Sequence, residues 1–127
     1  MNRKLSKIAA VLALIIGAMA VVAGGGVLLG RDPGYYVIDW LPIYNFIAGV
    51  LTVIVAAPLL WRESRYALPA ALVTFGAHGV VMLVIQTAYR EVVASDSIKA
   101  MTVRLAVWTI VLVLSFLHLR RRKTVSA

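Results

Sequence analysis

The residues of this chain that could do chemistry are few, and most stand in apolar surroundings. His78 lies between Ala77 and Gly79 in the middle of a charge-free run. Met82, Gln86 and then Tyr89 or Arg90 follow it at i+4 and i+8 spacing, so they read as one polar helix stripe from mid-run to the run's end. An imidazole at such depth has three uses. It can ligate a b-type haem or a metal, it can relay protons or meet a quinone-like or lipid ligand, or it can hydrogen-bond across neighbouring helices. The other histidine, His118, sits near the chain's end, roughly 10–15 Å along the membrane normal from His78 at 1.5 Å of rise per residue. One haem does not reach both. A haem held between two copies through paired His78 is the form that remains.

Arg104 is the second such residue. The charge-free run behind it has 15 residues (105–119), about 22 Å of helix against a hydrocarbon core of about 30 Å. Arg104 therefore lies at or slightly inside the outer membrane boundary. It either snorkels to the surface or pairs with an acid, for which Asp39, Glu91 and Asp96 are the candidates. Asp39 is followed by Trp40, Tyr44 and Asn45. The expected outer polar cluster, a candidate ligand-binding set, is His78, Gln86, Asn45, Asp39, Arg104 and Tyr44.

No segment carries a nucleophile elbow, a phosphate-cradling loop, two histidines at i, i+4 or paired intramembrane carboxylates. No cysteine is present, which excludes thiol redox chemistry and Cys-held metal, iron–sulfur or haem groups. The chain lacks the intramembrane glutamate on which small proton-coupled multidrug exporters rely. It also lacks the Asn and Phe pattern of small dual-topology fluoride channels. The expectation is a protein that is not an enzyme and has no cofactor and no metal site.

The elements that must position these groups are charge-free apolar stretches at 8–30, 40–61, 66–89 and 105–119. The first three are long enough to cross a bilayer, which needs about 20 residues. Of the 127 residues, 62% are hydrophobic and 14% charged, against about 25% charged in soluble domains. The sequence predicts one all-α domain, an integral membrane four-helix bundle with spans at about 8–30, 41–61, 67–89 and 99–119. The opening residues 1–20 also have the form of a signal peptide with Ala18-Met19-Ala20 as a cleavage site. The apolar run continues to Leu29, longer than such a core, which argues against cleavage.

The net charge of +8 sits at span ends, where it sets topology and meets anionic head groups, so nucleic acid is not expected as a partner. With the N-terminus inside, Arg3, Lys4, Lys7, Arg62, Arg65 and the run Arg120-Arg121-Arg122-Lys123 are inside; Arg31, Arg90, Lys99 and Arg104 are outside. This nine-to-four bias predicts both termini in the cytoplasm and a bacterial-type plasma (inner) membrane. Tyr35, Tyr36, Trp40 and Tyr89 mark the outer interface, and Trp61 and Tyr66 the inner one.

Further local expectations follow from residue type. Pro42 and Pro69 sit just inside helix starts, Ser95 or Asp96 caps the last helix, Asp32-Pro33-Gly34 forms a turn, and Pro58 bends the second span. Ala9, Ala13, Gly17, Ala20 and Gly24 form a smooth stripe on the first span. Ala70, Thr74 and Ala77, with Gly76 and Gly79, do so on the third. Both are expected between helices, within the chain or in a homo-oligomer or larger membrane complex. The triplet Gly24-Gly25-Gly26 either frays the first helix or admits a neighbouring loop or ligand to its backbone.

The functional expectation is a small non-enzymatic multi-pass membrane protein, an accessory subunit or a binder of a lipophilic ligand at the outer cluster. The alternatives are an oligomeric small-molecule or ion transporter or channel with His78 lining the path, and a membrane haem or quinone protein.

Overall fold

A computed structural model of the protein describes residues 2–126, with side chains over 4–120. The Arg3, Arg121, Arg122 and Lys123 side chains, expected to anchor the termini, lie outside that range. All the described elements are helical: α1 (Asn2–Leu28), α2 (Leu41–Leu51), a π-helical segment (Thr52–Ala56), α3 (Ala57–Trp61), α4 (Ala67–Thr87) and α5 (Ser95–Ser126). α2, the π segment and α3 run on as one span, giving four helices long and apolar enough to cross a membrane. Both termini and the loop 62–66 lie at one end of the bundle, here the termini end. The connections 29–40 and 88–94 lie at the far end.

The π segment has a local cause. Pro58 offers no N–H, and its ring crowds the carbonyl four residues back. The helix answers with a wider turn just before it, in which Ala57 N–H donates to Thr52 O. At the far end, Asp32 Oδ1 accepts from Gly34 N–H (2.9 Å) and Gly34 adopts φ 84°, so Asp32-Pro33-Gly34 forms the expected turn. α5 begins differently from expectation. Ala94 O accepts from the N–H groups of Ser97 and Ile98, so Ser95 and Asp96 belong to the first turn instead of capping it. Asp96 there still faces the helix's positive end.

α1 packs most closely on α2, then on α5. The stripe Ala9, Ala13, Gly17, Ala20 and Gly24 is buried along its whole length within the chain. A Cβ at Gly24 would stand 2.5 Å from Pro42 O and 2.6 Å from Phe46 N. One at Gly49 would stand 2.7 Å from Gly17 O and 2.8 Å from Val21 N. The two helices therefore meet backbone to backbone, the contact that small residues permit where dispersion and packing drive association.

The small face of the third span is not buried within the chain. α4 turns Ala67, Ala71, His78, Val81 and Ile85 inward. Gly76 and Ala77 are exposed, Ala70, Thr74 and Gly79 are half-buried, and nothing lies within 4 Å of a Cβ built at Gly76 or Gly79. At 100° per residue Gly76 and Ala77 fall on the face away from the Ala71–His78–Ile85 row, while Ala70, Thr74 and Gly79 flank it.

Two apolar clusters stack along the bundle. Ala9, Ala13, Ala57, Leu60, Ala71, Trp108 and Val111 belong to the one nearer the termini, and Ile38, Leu41, Val81, Ile85 and Met101 form the one at the far end.

Candidate polar site between the helices

Between these clusters three helices bring buried polar groups together. His78 is 3% exposed and Arg104 6%. α2 supplies Tyr44 and Asn45 at adjacent positions, so their side chains point about 100° apart and serve two partners. Tyr44 Oη and His78 Nδ1 are 2.7 Å apart, and the rings stand edge to face at 5.7 Å. Arg104 Nη1 donates to Asn45 Oδ1. Trp108, one turn along α5 from Arg104, closes the layer with its ring 6.3 Å from His78. Here α2 reaches both α4 and α5 through polar side chains.

Arg104 is thus a buried cation held by a neutral acceptor. It forms no ion pair among the described residues. Asp39, Glu91 and Asp96, the expected acids, are all exposed. Asp39 is displaced from the cluster because its neighbour Ile38, 2% exposed, takes the inward position and fills the far-end core. Gln86 is also corrected to an exposed position. Each i+4 step drifts by about 40° around the helix, so eight residues carry Gln86 about 80° off the His78 direction. Ile85, about 20° off, takes the inward place. Of the six residues in the expected set, His78, Tyr44, Asn45 and Arg104 come together; Asp39 and Gln86 do not.

The space bounded by Gly17, Gly49, Thr52, His78, Arg104 and Trp108 is too tight for a water molecule. Above Asn45 the packing opens. A vestibule of about 50 Å³, enough for a few waters, is lined by Arg31, Tyr35, Asn45 and Ser97 along with apolar residues. Arg31 folds back onto α1: a Cβ at Gly26 would lie 3.0 Å from Arg31 Cζ, and Arg31 N–H donates to Gly26 O. The glycine triplet admits helix α2 at Gly24 and the loop residue Arg31 at Gly26. At the rim Trp40 Nε1 donates to Tyr89 Oη (2.9 Å), tying α2 to the end of α4.

Sequence reasoning missed a second polar layer at the termini end. Glu63 Oε1 lies 3.0 Å from His118 Nε2. Ser6 Oγ donates to Leu60 O, and Lys7 Nζ donates to Trp61 O (3.1 Å) while lying 3.9 Å from the Trp61 ring centroid. The signal was available. Glu63 is the one acid in the sequence outside the segments 31–39 and 90–104, and His118 falls at the same end.

Comparison with family models, with characterised proteins and with solved structures finds no match.

Proposed function

We propose that this is a small non-enzymatic membrane protein that binds a lipophilic ligand through a polar group presented to the Asn45–Arg104 pair. In this reading the termini are cytoplasmic, the far end faces outward and the membrane is a bacterial-type plasma membrane. The observation that carries the reading is Arg104: a guanidinium with five donors, 6% exposed, whose one hydrogen bond among the described residues goes to the neutral Asn45. Buried cations are costly in a membrane and ordinarily pair, so donors left over behind Asn45, which lines the vestibule, suit a ligand's acceptor. The readings that put a conduction path, a haem or a quinone at His78 have less support, because the space beside His78 does not admit a water.

Mass spectrometry of small molecules co-purified with the protein and with its Arg104→Gln variant tests the reading. A lipophilic species present with the parent and depleted in the variant is the expected result; identical extracts would count against it. Reporter fusions at both termini test the orientation, and activity of a periplasmic reporter fused after Ala127 would overturn it.

A further inference from the structure

Arg31 stands at the junction of two cavities of opposite character. One is the vestibule of about 50 Å³ that ends on Asn45. The other is an apolar trough of about 370 Å³ on the outward face of α1, lined by Ala18, Met19, Val22, Ala23 and Arg31. Ala23 and Arg31 border both, so the two meet there. Met19 and Val22 are 58% and 63% exposed, so the trough opens sideways, on a face suited to lipid.

Charge decides what such a pair of cavities accepts. Two guanidinium groups bracket the vestibule: Arg31 at its mouth and Arg104 behind Asn45. Among the described residues the Arg31 side chain has no hydrogen bond or ion pair. The acids of the same loop do not neutralise it: Asp32 is engaged with Gly34 N–H, and Asp39 is exposed. Arg31 lies against Gly26, where a methyl group would make the guanidinium give by a few tenths of an ångström and a larger side chain would take its place. The trough meanwhile is shallow and offers only apolar contact up to Arg31.

We infer that this junction is the seat of a long-chain carboxylate, with the acyl chain in the α1 trough and the carboxylate on Arg31 at the vestibule mouth. A carboxylate fits a vestibule of about 50 Å³ and matches the planar fork of a guanidinium, which binds it through two parallel hydrogen bonds. The inference rests on the reading above that the far end binds a lipophilic ligand; it names the ligand's class and seats its polar group on Arg31, in front of the Asn45–Arg104 pair.

The test uses the full chain in a neutral detergent, with the melting temperature followed against palmitate, hexadecanol, the phosphate monoester of the same alcohol, and acetate. Palmitate should stabilise; hexadecanol and acetate should do so at least about tenfold more weakly, the loss expected for one charge-assisted contact or for the chain. Arg31→Gln, a change at an exposed side chain that leaves the fold intact, should weaken palmitate about tenfold. Gly26→Leu should do the same while keeping every charge. Equal stabilisation by palmitate and hexadecanol, or palmitate binding unchanged in Arg31→Gln, overturns the carboxylate assignment; if Arg104→Gln then abolishes binding, the broader lipophilic reading survives. Stabilisation by the phosphate monoester and not by palmitate also overturns it. If none of the four compounds shifts the melting temperature, the carboxylate assignment fails, and a lipophilic species that co-purifies with the parent and not with Arg104→Gln would then keep the broader reading standing.

Discussion

Arg104, between the two apolar clusters, and Glu63, at the termini end, are met in opposite ways. Arg104, 6% exposed, faces Asn45 and no carboxylate among the described residues, next to a vestibule. Glu63 faces His118 at 3.0 Å, and the nearby Ser6 and Lys7 spend their donors on the carbonyls that end α3. The same end also holds the buried Ser115 Oγ, which has no hydrogen-bond partner among the described residues. The layer between the clusters leaves a cation with spare donors, which membrane burial makes costly unless something else benefits. The comparison teaches where to look for function: at the layer whose buried cation meets no carboxylate among the described residues.

The largest test removes the one partner Arg104 has. Asn45→Leu should cost about 2–3 kcal/mol, read as reduced thermal stability in detergent, because it strands a buried guanidinium. Parent-like stability would mean that Arg104 reaches solvent unaided and that the two layers do not differ as described. Gly17→Leu comes next. Its Cβ alone would stand 2.8 Å from Thr52 Cγ2, so the α1–α2 seam must open, at about 1–3 kcal/mol. Because this seam lies between the layers, the ligand response and the melting temperature should fall together; loss of one alone would break the picture of a shared scaffold.

Smaller effects sharpen the contrast. Tyr44→Phe removes the hydrogen bond to His78 and should cost about 0.6 kcal/mol, the average for such bonds between membrane helices. A much larger loss in ligand response than in stability would move His78 from structure into the site. Glu63→Gly should change stability least. Glu63 adopts φ 57°, a strained conformation for a residue with a side chain, so glycine's relief of about 1 kcal/mol offsets the lost contact with His118. A drop beyond about 1 kcal/mol would show that the termini end depends on that pair.

The spans were legible because apolar length and flanking charge are strong, local signals. The α1 stripe was legible for the same reason: Ala9 to Gly24 recur at helical spacing, and all five are buried. The site was half legible. His78, Tyr44, Asn45 and Arg104 are rare polar groups in apolar runs, and rarity points inward. Gln86 misled because an i+4, i+8 row winds around a straight helix, and Ile85 competes for the inward place. Asp39 misled because side-chain direction in a loop depends on its neighbour, here Ile38. The Arg31–Gly26 contact was beyond reach, since it depends on how the chain reverses after α1.

The wide turn at Thr52–Ala56 bears on how independently the two ends can change. An extra residue in one turn re-phases everything on one side of it by about 100°. Asn45 lies before the turn and Leu60, whose carbonyl accepts from Ser6, lies after it. The second span therefore works like a shaft with an offset coupling, each half clocked to its own neighbours. Pro58→Ala, which would let the segment return to an ordinary pitch without losing a residue, would spin Leu60 by about 100° away from Ser6 while Asn45 stays on Arg104. Register, not side-chain chemistry, is what keeps the two ends aligned in one rod.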